Sequence, residues 1–406
     1  IAAALLRLTR VLTPRRRPAL LTASAVTAAW LVVALVGVQL VPGVPVAAAD
    51  VATAAASGTG QVVGAAGARA ALDRQAAADP YAQLPASGLL TGLRGKDVIV
   101  AFVESYGRVA VQGSSFAPGV DAVLRSGTAR LAAHGYGERS AFLTSPTFGG
   151  ISWLAHSTLQ SGLWIDSQAT YDHVTSGSRF TLASAFRKAG WRTVSDVPSD
   201  TRHWAVGSSF YRYGTQLNAT NVGYRGPRFS YARIPDQYTW AYFQRHELTG
   251  PHAPLMAEID FVSSHTPWTP LPSLVPWSAI GDGSVYDPQP AVGQAPAEAW
   301  QDPHRVQQLY GQSVQYSLNS MFSFLTTFDD PNLVLIVLGD HQPASIVSGQ
   351  GASHDVPVSI IAKDPAVLDR ISSWAWQPGM LPGPDAPVWR MDAFRDRFLD
   401  AFGPRR

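Results

Sequence analysis

The stretch Leu333-Val334-Leu335-Ile336-Val337-Leu338-Gly339-Asp340-His341 decides the fold. A short unbroken apolar run, rich in branched residues and closed by a glycine, is the pattern of a strand buried on both faces of a parallel sheet. The carboxylate and the imidazole then stand at its carboxyl end. Asp97-Val98-Ile99-Val100-Ala101-Phe102-Val103-Glu104 repeats the pattern and again ends on a carboxylate. Open α/β sheets bind ligands in the crevice outside the carboxyl ends of their strands, so two such ends carrying metal-type ligands predict a site there.

Working outward, Leu255 to Val262 predicts a third strand, and its end carries Ser263-Ser264-His265-Thr266-Pro267-Trp268. Arg192 to Val197 and Val356 to Ile361 read as further strands. Gly119 to Gly135, Thr181 to Gly190, Pro235 to Leu248 and Val306 to Phe328 carry helical patterns. This alternation over residues 93–406 predicts one α/β domain with a doubly wound, mostly parallel sheet flanked by helices. The proline-rich stretch 267–303 is too long for a mere connection and predicts a lid or a wall of the site.

The hydroxyl-bearing stretch is Thr147-Phe148-Gly149-Gly150-Ile151-Ser152-Trp153-Leu154-Ala155-His156. The paired glycines mark a turn, and Ser152 to Gln160 predicts a helix stopped by Gly162. Ser152 falls in its first turn, where free amides and the helix dipole favour negative charge. His156 lies one turn on along the same face. Glu104, Ser152, Asp340 and His341 together make a mixed oxygen and nitrogen set suited to one divalent ion, zinc or manganese, that also holds the serine oxygen. Such a serine is placed for covalent attack on phosphorus, with Thr147 as the rival hydroxyl. His265 and His354 are placed to hold phosphoryl oxygens or to protonate a leaving group. Each residue also has a plainer reading, Ser152 as a helix cap and the histidines as hydrogen-bonded structural residues.

Composition narrows the classes. The chain has no cysteine, which excludes disulfides, zinc–thiolate sites and a thiol nucleophile. Lys and Arg number 31 against 29 Asp and Glu, a net charge of +2, so no nucleic-acid partner is implied. Arginines in residues 1–18 precede an uncharged stretch from Ala19 to Val41 that predicts a transmembrane helix, with the basic side in the cytoplasm. A cleaved secretory signal ending near Val46-Ala47-Ala48-Ala49 is the alternative. Residues 42–92, rich in Ala and Gly, then read as a juxtamembrane linker, which places residues 93–406 outside the cytoplasm with a single span.

Taken in order, these segments resemble the alkaline phosphatase and sulfatase superfamily over residues 94–402, in the membrane-anchored branch of lipoteichoic acid synthases and phosphoethanolamine transferases. Phe102-Val103-Glu104-Ser105 resembles the first metal carboxylate of that branch, Gly149-Gly150-Ile151-Ser152 the approach to its nucleophile, Ser264-His265-Thr266-Pro267 its S-H-x-P segment, and Gly339-Asp340-His341 its G-D-H. The resemblance implies a metal-dependent phosphotransferase or phosphodiesterase acting on a membrane lipid or envelope polymer of phosphoglycerol or phosphoethanolamine type. It also implies a head-group contact near Arg202, His203 and Trp204. Where a sulfatase has Pro and Arg, Leu154 and His156 stand here. A sulfatase and a catalytically silent relative are the alternatives. Members with two metals resemble D-x-x-x-H ahead of the G-D-H; here Asp260 and His265 are one residue further apart, and a second metal is left open.

Overall fold

The computed structural model describes residues 39–41, 44–45, 67 and 69–404, and the chain divides into two compact units, Ile1–Gln75 and Ala76–Arg406. In the first unit Gln39–Val41 pairs antiparallel with Val44–Pro45. This corrects the expected transmembrane helix over residues 19–41. Its last three residues are extended and bonded to another strand, which a helix carried through Val41 cannot be. Residues 19–38 lie outside the described residues. Among the described residues no helix is long and apolar enough to cross a membrane. The single-span topology, the attachment through an N-terminal helix and the extracytoplasmic location inferred from that helix fall with it.

In the second unit nine strands among the described residues form one sheet. They are β1 (Asp97–Val103), β2 (Gly137–Thr144), β3 (Arg192–Val197), β4 (Thr215–Asn218), β5 (Leu255–Phe261), β6 (Leu333–Gly339), β7 (Asp355–Ala362), β8 (Gln377–Pro378) and β9 (Val388–Arg390). The spatial order is β8-β2-β7-β6-β1-β5-β3-β4, with β9 beside β2. β6, β1, β5, β3 and β4 run parallel. β7 runs against β6 and β2 against β7, so the sheet is mixed at that side. The helices that matter here are α1 (Ala117–Ala133), α2 (Ser152–Ser161), α3 (Gln168–Thr175), α4 (Leu182–Lys188), α5 (Asp236–Phe243), α6 (Pro303–Phe328) and α7 (Phe394–Ala401).

Alternation along β1 sorts the two faces. Ile99, Ala101 and Val103 join one large apolar cluster with Leu124 of α1, Trp240 of α5 and Phe322 of α6. Val98, Val100 and Phe102 face the other way, and the His156 ring of α2 stacks on Phe102 at 3.8 Å between centroids. Both faces are therefore covered by helices, which is why β1 and β6 are buried at every position and read as continuous apolar runs. β1 and β6 pair in register from Asp97↔Leu333 to Val103↔Gly339, and this alone brings Glu104 level with Asp340.

No residue of stretch 267–303 lines the cleft described below. Trp268 plugs the stretch to the body, donating its indole N–H to the Ser264 carbonyl at 2.7 Å and meeting Tyr310 edge-on. Tyr81, Leu89, Leu90 and Leu93 are buried, so the second unit takes in residues ahead of β1.

Candidate metal centre and active-site cleft

Each of the four metal-type side chains is set by the end of an element. At the end of β6 the backbone of Gly339 runs so close to Tyr106 that a Cβ would lie 1.9 Å from the Tyr106 carbonyl oxygen, so only glycine fits there. Asp340 and His341 follow at once, each about 1 % exposed. Asp340 Oδ1 accepts from the amides of Ser105 and His341, both at 2.7 Å. His341 Nδ1 donates to the Gln342 carbonyl at 2.8 Å. That bond turns Nε2 toward the cluster, as an outer partner does for a ligating histidine. Ser105 holds a left-handed φ of 57°. Its hydroxyl donates to Glu104 Oε1 at 2.9 Å, and its carbonyl accepts from Tyr310 of α6 at 2.8 Å.

Ser152 arrives by a tighter route. Gly149, Gly150 and Ile151 have φ of 71°, 151° and 65° in succession, and Thr147 clamps the turn by donating its hydroxyl to the Gly150 carbonyl. A β-branched residue in the left-handed region costs on the order of 1–3 kcal/mol, and such strain collects at functional sites. The consequence is that α2 starts with Ser152 facing β1 and β6. Its hydroxyl donates to Glu104 Oε2 at 2.9 Å and lies 3.2 Å from His341 Nε2. His341 Nε2 is in turn 3.3 Å from Glu104 Oε1 and 3.4 Å from Asp340 Oδ2.

Those separations can be set against a metal. Four ligand atoms at the 2.0–2.2 Å typical of zinc stand about 3.3–3.6 Å apart at the corners of a tetrahedron, and three of the four distances fall at or near that range. Asp340 Oδ2 is buried without a hydrogen-bond partner, a cost that a bound cation removes. The donor set of two carboxylates, an imidazole and a hydroxyl fits zinc or manganese. The electrostatics agree. Burial works against the Glu104 carboxylate, yet His341 outweighs it and holds Glu104 well below the usual range. Burial and then Glu104 push Asp340 up. Burial opposes a charged His341, but Asp340 and Glu104 prevail and raise it to about 9. Two adjacent buried carboxylates thus draw a positive charge, by a proton or by a metal ion.

The cluster opens into a cleft of about 490 Å³ lined by Glu104, Ser152, Asp340, His156, His265 and Trp204, with Tyr171 and Tyr231 as aromatic walls. His265 stacks on Tyr231 at 3.5 Å. Four predicted residues stand away from the lining, and His341 is one of them, buried behind Ser152 and Asp340. His354 hydrogen-bonds the Ser145 carbonyl at 3.3 Å and packs near Phe148. Arg202 and His203 are exposed, and His203 Nε2 lies 3.3 Å from the Ser208 hydroxyl. Among the described residues a second group able to hold a metal ion is His156, Glu258 and Asp260. Sequence reasoning did not include Glu258 at all, and it linked Asp260 to His265 rather than to His156. The available signal was two carboxylates at alternate positions of a buried strand, hence on one face.

No protein-family model and no curated protein matches the chain. Solved structures do. A protein in the alkaline phosphatase superfamily from Vibrio parahaemolyticus is 15 % identical, with a TM-score of 0.51, covering 82 % of this chain and 74 % of its own. The C-terminal periplasmic domain of EptC from Escherichia coli, in complex with zinc, is 13 % identical with a TM-score of 0.48, over 76 % and 82 %. The phosphoglycerol transferase GacH from Streptococcus pyogenes, in complex with sn-glycerol-1-phosphate, is 12 % identical with a TM-score of 0.46, over 79 % and 86 %. Likeness at these identities is likeness of fold. The chain has the fold of the alkaline phosphatase superfamily, as the order of its motifs implied, together with side-chain groups able to hold a divalent ion.

Proposed function

We propose that the chain is a metal-dependent phosphodiesterase or phosphotransferase that works through a covalent Ser152 intermediate. The observation that carries this reading is the convergence on Ser152 Oγ, at a helix start, of Glu104 Oε2 at 2.9 Å and His341 Nε2 at 3.2 Å. Glu104, Asp340, His341 and the Ser152 oxygen would hold one divalent ion. When bound, that ion lowers the pKa of the serine hydroxyl and offsets charge on a phosphoryl oxygen.

The chain's own residues account for the rest. Glu104 accepts a hydrogen bond from the Ser152 hydroxyl and orients the oxygen toward the cleft. The first turn of α2 offers dipole and amides to the developing negative charge. His265, at the cleft wall beside Glu104, is the group placed to protonate the departing alcohol. His354, beside Ser145, supports the loop that leads to Ser152. A second alcohol or water then takes the phosphoryl group from Ser152. His156 and Trp204 contact the donor in the cleft, with Arg202 and His203 at the outer edge nearby.

A cleft of about 490 Å³ suits a phosphoglycerol or phosphoethanolamine head. Ile151, Trp153 and Tyr231, each close to half exposed, add an apolar mouth. That combination favours a donor whose head is carried on a lipid or polymer. The test is a phosphodiester assay on the full chain. Ser152→Ala should lose at least about a thousandfold in kcat, as removal of a nucleophile does, while Thr147→Ala keeps most of it. Full activity in Ser152→Ala with loss in Thr147→Ala would move the nucleophile to Thr147.

A further inference from the structure

A second set of ligand-type side chains lies on the wall of the same cleft. β5 is buried along nearly its whole length, yet it carries Glu258 and Asp260. Two apart in a strand, they share one face. Register places Glu258 beside Val100 and Asp260 beside Phe102, on the face that α2 covers. His156 of α2, stacked on Phe102, therefore brings Nδ1 to 3.2 Å from Glu258 Oε1 and 3.4 Å from Asp260 Oδ1. These are the separations that His341 Nε2 makes with Glu104 and Asp340 in the first cluster, 3.3 and 3.4 Å. One molecule thus builds the same spacing twice, each time from one imidazole nitrogen and two carboxylates.

Support from behind has the form expected of a ligating carboxylate. Glu258 Oε2 accepts from Tyr213 OH at 3.0 Å and from the Gln160 amide. Gln160 is itself fixed, its Oε1 accepting from the Ala183 amide at 3.0 Å. Oε1 of Glu258 is left facing His156. Glu258 is about 3 % exposed and His156 about 6 %. Asp260 is partly exposed at the cleft wall, so the set is open on one side, and two carboxylates converge on a single imidazole, an arrangement that is paired or coordinates a metal.

We propose that His156, Glu258 and Asp260 form a second divalent-cation site, separate from the Glu104, Asp340 and His341 group. The nitrogen and carboxylate donors suit an ion of the zinc or manganese class; magnesium and calcium prefer oxygen alone. The proposal rests on reading the cleft as a metal centre, but it shares no ligand with the first cluster. Its ligands also differ from the Asp260 and His265 pairing that the sequence motif suggested. His265 turns its ring onto Tyr231 and bonds the Thr266 carbonyl through Nδ1. Glu104 and Asp340 of the first cluster and all three residues of the second line one cleft, so two ions there would both add positive charge where a phosphodiester binds.

The alternative occupant of the gap is a proton. Burial opposes a charged His156, yet Asp260 and Glu258 raise it to about 9, and an imidazolium could sit between them unaided. Ion counting separates the two. The full chain is stripped with chelator, refilled with zinc or manganese, and its bound metal measured by elemental mass spectrometry, with cobalt spectra as a second readout. Two ions per chain are expected in the wild type. Glu258→Gln, Asp260→Asn and His156→Gln should each retain one, as should Asp340→Asn, and the Glu258→Gln/Asp340→Asn pair none. Cobalt absorption from the second equivalent should vanish in His156→Gln. A melting curve checks that each variant folds, and any one folded variant of the three suffices.

One ion in the wild type, unchanged in Glu258→Gln and lost in Asp340→Asn, overturns this proposal and leaves the first centre standing. No ion in the wild type overturns both. One ion lost in Glu258→Gln but kept in Asp340→Asn moves the metal centre to the second cluster.

Discussion

The two clusters in the cleft are built in different ways. The first is made at the ends of elements: Glu104 follows β1, Asp340 and His341 follow β6, and Ser152 begins α2. Its ligands sit on turns held by left-handed residues and by backbone bonds, with one carboxylate oxygen left unpartnered. The second is made from inside elements, with Glu258 and Asp260 within β5 and His156 in the second turn of α2. It contains no hydroxyl. Strand ends leave a hydroxyl free to approach a substrate, whereas ligands held within packed elements are rigid and bring no nucleophile. Under the proposed function, the difference would give the chemistry to the first cluster and charge to the second.

Asp340→Asn is the strongest way to break that contrast. It should remove the ion of the first cluster and lower phosphodiester turnover by about a thousandfold or more, since the charge facing the transition state goes with it. Glu258→Gln should cost only about 10–100-fold. Equal losses in kcat/KM would end the division of labour. A smaller effect is expected from Tyr213→Phe, which removes the hydroxyl behind Glu258. Affinity for the second ion should weaken about tenfold, read by competition with a chelating dye, with the first ion unaffected. If both ions weaken together, the clusters act as one site.

The mildest test uses a buried carboxylate that belongs to neither cluster. Asp196 of β3 pairs in register with Ile259, on the opposite face of the sheet from Glu258 and Asp260, and its Oδ2 has no hydrogen-bond partner. Burial, helped by Asp260 and Glu247, pushes its pKa up to about 8. The sign follows from linkage. Between about pH 4 and pH 8 the unfolded chain gives up this proton while the folded chain keeps it, so folding stability falls as pH rises across that window. Asp196→Asn should therefore raise the melting temperature by a few degrees at pH 8 and leave it nearly unchanged at pH 4. An equal gain at both values would show a packing effect rather than a titration. Ion counts should not change, which sets this acid apart from the two clusters.

Much of the first cluster was legible because its polar residues terminate apolar runs. Asp340 and His341 close a buried strand, and Glu104 does the same for β1, so pattern alone marked them. Gly162 stopped α2 where expected. Other features were hidden for physical reasons. β2 carries Glu138 and Arg139 among its first three residues, which broke the apolar signal, although pairing with β7 makes it a strand. β4 and the two short edge strands are too brief to show a period. The run 19–41 is long, uncharged and apolar, and composition could not tell that Gln39–Val41 is extended and bonded to Val44–Pro45. Glu258 looked like a lone charge in a strand, since its meaning depends on a helix a hundred residues earlier.

By itself the sequence determined the local grammar: which runs are buried strands, where a helix starts at Ser152, and that carboxylates and an imidazole stand at strand ends. Local sterics and the hydrophobic period suffice for that, because each acts over a few residues. Only the tertiary structure decided which ends are neighbours. Register between β1 and β6 set Glu104 beside Asp340, and the stacking of α2 on Phe102 carried His156 to Glu258 and Asp260. Contacts between residues so far apart in the chain follow from strand order and helix packing, which no short window of sequence encodes.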